Sequence, residues 1–235
     1  MPKENFFYNG YDAASYGIQL QRPIKFSGAV PVAETIHVAG RNGNIVFETG
    51  AFKNRKGEAE CFCLQHNVEE AITAASSVLL SSKGYNRLET TNDPTHYWMA
   101  RVVNGAQIEN RMRVLNPFTI EFDCKPQRFL KNGETPVSIP SGTTLYNPTA
   151  FTALPLIHIS GNGAGRLQVG EYVVEIFSLD GNITLDCELQ NAYYGTTNLN
   201  NAISAPEFPK LVAGNNEISF TGDWTVEIIP RWWTL

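Results

Sequence analysis

The sequence predicts an all-β protein with one helix, and three observations carry that expectation. Apolar and polar residues alternate with period two in several runs, glycine, proline and asparagine recur at short intervals between the runs, and one stretch alone carries apolar residues at helical spacing. Alternation at period two places successive side chains on opposite faces of a strand, so that one face meets a core and the other meets solvent. Closely spaced turn residues are how a chain of strands reverses direction.

Phe118, Ile120, Phe122 and Cys124 share one strand face, and Thr119, Glu121, Asp123 and Lys125 share the other. Ile183, Leu185, Cys187 and Leu189 alternate with Thr184, Asp186, Glu188 and Gln190. Trp224, Val226 and Ile228 alternate with Thr225, Glu227 and Ile229, which turns Trp224 inward. Gly170 to Leu179 reads as a strand, with Asp180-Gly181 as a two-residue hairpin turn into Ile183. The helix is predicted from Val68 to Ser82. Asn67 and Glu70 have the spacing of an N-cap and its reciprocal N3 partner. Val68, Ile72, Ala75 and Leu79 form an apolar stripe suited to packing on a sheet, and Gly84, after Lys83, suits the C′ position.

A chain of 235 residues accommodates two domains of roughly 100 residues each. The break is predicted near Asn132, giving domains 1–132 and 133–235, because turn residues crowd the segment Lys131 to Thr152. That segment reads as a linker or a set of short edge strands, and Gly195 to Pro209 as a long surface loop. Charged residues are 17% of the chain, below the usual ~25%. A weakly charged surface is either loop-rich or covered by neighbouring subunits. The net charge of −5 argues against a protein that grips nucleic acid, and Lys53, Arg55 and Lys56 read as a solvated turn. The start, Met-Pro-Lys-Glu-Asn, leads into aromatic residues without a signal-peptide core, and no apolar run of about 20 residues is present to span a membrane. Synthesis in a cytoplasm, with reduced cysteines, is the expectation.

Nothing in the sequence signals catalysis, a metal or a cofactor. Cys61-Phe62-Cys63 stands far from Cys124 and Cys187, whereas structural zinc sites usually show two close pairs. All four cysteines lie on apolar strand faces and read as core filling. His37, His66, His96 and His158 form no short ligand spacing. Gly161-Asn162-Gly163-Ala164-Gly165 lacks the spacing and following helix of a phosphate loop, and reads as a glycine-rich turn between strands. Trp232 and Trp233 point to opposite faces and are candidates for a carbohydrate or domain contact.

Short elements follow one another along the chain in a set order and spacing. Phe6-Phe7-Tyr8-Asn9-Gly10 and Tyr16-Gly17-Ile18 open the series. Gly40-Arg41-Asn42-Gly43 follows, with a Gly50/Phe52 segment, and then Asn116-Pro117-Phe118 through Lys125-Pro126. Asn147-Pro148-Thr149, Pro155-Leu156-Ile157, Phe208-Pro209, Gly214-Asn215-Asn216 and Pro230-Arg231-Trp232-Trp233 complete it. In the order and spacing of these elements the chain resembles, from end to end, the distal tail proteins of siphophages, with Asn116 to Pro126 similar to the end of that family's first domain.

The resemblance implies an N-terminal β-sandwich or split-barrel-like domain that forms a hexameric ring, with a projecting belt hairpin, and a C-terminal galectin-like β-sandwich outside the ring. It implies a structural, non-enzymatic role at the virion tail tip. The partners would be other copies of the chain, the tail tube protein, a tail-associated hub or lysin protein, and receptor-binding or other baseplate proteins. DNA would pass through the lumen without specific binding. Ring closure needs one patch to meet a different patch, and a hairpin edge can pair with a neighbour's sheet. Gly40, Arg41, Asn42, Gly43 and Phe52 are therefore the expected subunit-contact residues, with Asn42-Gly43 as a tight hairpin turn. The alternatives are an ordinary surface hairpin at Gly40 to Phe52, and a carbohydrate-binding protein that meets host wall polysaccharide through Trp232 or Trp233.

Overall fold

The structure, a computed structural model, describes residues 4–63, 68–104 and 116–235. They form an all-β architecture with one short α-helix and three sheets. Two compact units divide the chain, Met1–Arg128 and Phe129–Thr234, and the division falls inside the strand Asn116–Leu130.

The first unit is built on a curled sheet. Its strands run in the order Tyr11–Asp12, Phe6–Tyr8, Asn86–Thr90, Asp93–Val102, Asn116–Leu130, Arg55–Cys63 and Ile18–Leu20, and Lys25–Phe26 also pairs with Arg55–Cys63. The period-two pattern sets the inner face: Phe118, Ile120, Phe122 and Cys124 are buried on one strand, and Ala59, Cys61 and Cys63 on its neighbour. The curl brings Phe6 to Phe122 from a distant strand, edge to face at 5.9 Å, and stacks Phe26 on Trp98 at 4.2 Å. Such aromatic pairs add about 1 kcal/mol beyond the area they bury.

The helix spans Val68–Ser81 and places Leu79 in this core, and Gly84 beyond its end takes a left-handed φ of 70°. Asn67 and His66 lie outside the described residues, as do the side chains of Val68, Glu70, Ile72 and Ala75.

The second unit is one sheet dominated by three long strands, Leu156–Val169, Tyr172–Asp186 and Gly214–Ile229. Val137–Ile139 and Thr143–Asn147 pair with opposite ends of Gly214–Ile229, so the segment after Lys131 is a set of short strands. Asn191–Tyr194 and Ile203–Ser204 pair with the two ends of Tyr172–Asp186. Each long strand thus belongs to two halves of the sheet, and residues from both halves, such as Ile157 and Val169, share a single core.

The glycine run corrects the sequence expectation here. Gly161 to Gly165 is not a turn but the middle of Leu156–Val169, and Asp180-Gly181 is not a hairpin turn but the middle of Tyr172–Asp186. Gly161 pairs directly with Gly181, and the register shifts between Gly163 and Gly165. Bulges bend strands and increase their twist. The bend is filled by Trp224. A Cβ on Gly165 would lie 2.1 Å from the Thr221 carbonyl oxygen and 2.5 Å from the indole Cη2, and one on Gly161 would lie 2.2 Å from the Asp223 carbonyl oxygen. Only glycine admits the tryptophan and the neighbouring backbone together.

Two further expectations are corrected. Leu189 is 70% exposed, because the strand ends at Asp186 and a turn follows, while Asp186 is buried with an ion partner. Gly195 to Pro209 is not a plain loop: it carries Thr197–Asn198, a 3-10 turn at Asn200–Ala202 and Ile203–Ser204.

Candidate assembly surface

Pro31–Ile36 and Ile45–Phe52 form a separate two-stranded antiparallel sheet. Its register pairs Ile36 with Ile45, Thr35 with Val46, Glu34 with Phe47 and Ala33 with Glu48. Directly opposed residues share a face. Ile36, Ile45 and Phe47 therefore lie on one face beside Glu34, and Val46 lies on the other. Phe47 is 67% exposed and Val46 55%, and Ile36, Val38 and Val30 are exposed as well. A two-stranded hairpin alone is marginally stable in water, because it has no second layer to bury its apolar face. Exposed apolar clusters of this kind mark interaction sites.

The expected contact residues occupy both ends of the hairpin. Gly40, Arg41, Asn42 and Gly43 are exposed in the connecting loop, and Phe52 pairs with Pro31 at the base. Asn42-Gly43 does not form a two-residue turn, since the last pair is Ile36 with Ile45 and residues 37–44 make the connection. Gly40 and Gly43 both take positive φ, at 81° and 79°, the Arg41 N–H donates to the Val38 carbonyl, and His37 Nδ1 lies 3.3 Å from Asn44 Oδ1. The loop is wider than the sequence implied because two glycines, not one, supply left-handed backbone. The exposed Ile36, Val46 and Phe47 were missed by sequence reasoning. Their signal was present, in that Ile45 and Phe47 alternate as a strand does, but alternation reports a shared face and not whether anything covers it.

Trp232 is 5% exposed, and its carbonyl accepts from the Leu130 N–H within the second unit. Trp233 stacks on Phe151 with ring centroids 4.4 Å apart and donates its indole N–H to the Thr152 carbonyl. One face of the Trp233 ring is thus already covered.

The four cysteines and two of the histidines are tied into the fold. Cys61, Cys63, Cys124 and Cys187 are buried free thiols. Burial pushes Cys61, Cys124 and Cys187 up to about 12, which keeps these sulfurs protonated and unreactive at neutral pH. His158 Nδ1 sits 3.0 Å from the Thr184 hydroxyl, and His96 Nδ1 sits 2.8 Å from Asp93. Among the described residues no group of three or more His, Cys, Asp and Glu is placed to hold a metal ion.

No family model and no curated protein sequence matches the chain. Solved structures do. The Dit protein of phage SPP1, described as a paradigm of the hub adsorption apparatus in phages infecting Gram-positive bacteria, superposes with a TM-score of 0.70 at 12% identity, over 96% of this chain and 97% of that one. A chain of the phage p2 baseplate in its activated conformation superposes with a TM-score of 0.55 at 10% identity, over the same shares. Across both units and nearly its whole length, this chain has the fold of the phage distal tail protein.

Proposed function

We propose that the chain is a structural hub protein of a phage or prophage tail tip, acting as a closed ring of copies rather than as an enzyme. The observation that carries this reading is the full-length match to the fold of a hub protein, covering both units and not one domain alone. The exposed hairpin supports it independently. Among the described residues its apolar face meets no packed layer, and a heterologous contact onto a neighbouring copy would bury Ile36, Ile45 and Phe47. The first unit is the ring-forming part in this reading, and the second, galectin-like in architecture, is a platform for other baseplate proteins. The tail tube protein and a hub or lysin protein dock on the two faces of the ring, and DNA passes through the lumen. The low charge of the chain fits a surface largely covered in the assembly.

Negative-stain imaging of the purified chain tests the ring, with a closed annulus of about six subunits as the expected image. Arg41→Asp tests the tip: assembly that is unchanged by this reversal removes Arg41 from the interface. Trp233→Ala tests the rival wall-polysaccharide reading. Glycan binding that disappears in this variant, with the fold intact, would favour sugar contact over a purely structural role.

A further inference from the structure

We infer that Asn42 is a self-modifying position, converting spontaneously to aspartate and isoaspartate at the tip of the hairpin. An asparagine followed by glycine is chemically prone to this change because the following residue has no side chain to block attack. The Gly43 backbone nitrogen, on losing its proton, bonds to the Asn42 side-chain carbonyl carbon. The bond to the side-chain amide nitrogen breaks, ammonia leaves, and a five-membered succinimide remains. Water then opens either carbonyl of that ring, giving aspartate or isoaspartate. The balance is one water consumed and one ammonia released, with no oxidant, reductant or enzyme.

The structure separates Asn42 from the Asn-Gly pairs at 9, 132 and 162, and of the pair at 104 it describes the asparagine alone. Asn42 and Gly43 are both exposed, lie outside the paired strands, and have open space where a Gly43 Cβ would stand. Among the described residues nothing hydrogen-bonds the Gly43 N–H or the Asn42 amide. The reacting groups are free to swing into the attack geometry.

Among the described residues, the asparagine or the glycine of the other pairs is held. The Asn9 amide donates to the Ser82 hydroxyl, and its backbone N–H donates to the Arg87 carbonyl. The Asn104 side-chain oxygen accepts from the Glu121 N–H at 2.7 Å. Gly133 is buried with its Cα face against Trp232, where a Cβ would meet the Trp232 nitrogen at 2.5 Å. Asn162 is extended and paired on both sides, with Asp180 and with Asp223. The modification therefore concentrates at the hairpin tip, where it adds a negative charge beside Arg41 and, as isoaspartate, inserts an extra backbone atom into the loop. This inference does not depend on ring assembly.

The test is a time course on the intact chain held at mildly alkaline pH and 37 °C, followed by tryptic digestion and fragmentation mass spectrometry. Cleavage after Arg41 and Lys53 isolates the peptide 42–53, in which fragmentation separates Asn42 from Asn44. The expected result is amide-to-acid exchange that accumulates at Asn42 first, faster at higher pH, and several-fold faster than at Asn9, Asn132 or Asn162. Gly43→Ala adds a methyl that meets no neighbouring atom but strains a backbone held at a φ of 79°, a strain confined to the exposed loop outside the paired strands. It should slow the exchange several-fold while leaving the circular dichroism spectrum of the strands unchanged. Exchange at Asn42 no faster than at Asn162, or a rate indifferent to Gly43→Ala, would overturn the inference.

Discussion

Arg231 grips Asp186 with both arms of its guanidinium, Nη1 at 2.9 Å from one carboxylate oxygen and Nη2 at 3.1 Å from the other. The pair fixes the end of the chain to the end of the long strand Tyr172–Asp186, and Arg231 takes a left-handed φ of 57° to reach it. The Arg231 N–H also donates to the Gly133 carbonyl at 2.8 Å. Asp186 Oδ1 also accepts from the Glu188 and Leu189 N–H groups, so four hydrogen bonds hold the carboxylate, three of them on one oxygen. Arg231→Ala leaves a carboxylate buried without its cation and should lower stability by about 3 kcal/mol in urea unfolding.

The same carboxylate makes the second unit acid-sensitive. Burial alone would raise Asp186, but the hydrogen bonds from Arg231 and from the Leu189 and Glu188 N–H groups outweigh it and hold the group below its ordinary value. A depressed carboxylate contributes stability that is complete above the unfolded pKa, near 3.9, and lost as pH falls through the lower folded value. Asp186→Asn should therefore be less stable than the parent at pH 7, and should lose less further stability below about pH 4. Parallel acid titrations followed by tryptophan fluorescence check this, and parallel curves for the two proteins would count against it.

The bend in the second unit depends on residues that a local reading of the sequence misplaces. Gly165→Ala drives a methyl into both the Thr221 carbonyl and the Trp224 ring and should cost about 3 kcal/mol or fail to fold. Shaving the ring away should not rescue it, because the backbone oxygen remains at 2.1 Å. A Gly165→Ala, Trp224→Ala double variant that recovers parental stability would show that the ring alone sets the constraint.

The cysteines give a prediction that needs no mutation. With all four thiols buried, a thiol reagent at neutral pH should label the native chain slowly and the urea-unfolded chain fully. Rapid labelling of the native protein would mean that the core of one unit opens readily.

Phe47 separates folding from assembly. Placed on the exposed hairpin and 67% exposed, Phe47→Asp should change the stability of the single chain by no more than about 0.5 kcal/mol. It should nonetheless weaken or abolish association, since the charge would have to be buried in the contact. Denaturant melts and light scattering on the same preparation read the two effects separately.

Core strands and the helix were legible because their patterns report periodicity, and periodicity is what burial selects. Phe118 to Cys124 and Trp224 to Ile228 alternate as they pack, and the helix keeps to Val68–Ser81. The bend was not legible. Asp180-Gly181 has the local signature of a hairpin turn, and the difference between a glycine that reverses a strand and one that bends it lies in what stands opposite, here Gly161 and Trp224. Asp186 carried the alternation of a surface residue, and its burial depends on Arg231 arriving from the far end of the chain. At the candidate surface, Gly40 to Gly43 were legible as a connection through their glycines, but the exposure of Phe47 is a fact about missing neighbours that no local pattern encodes.

The central claim, that copies of this chain close into a ring, is tested most directly by light scattering across a size-exclusion peak at several protein concentrations. The account predicts a single species with the mass of about six chains, stable on dilution. A monomer at every concentration, including the highest reached, would contradict it.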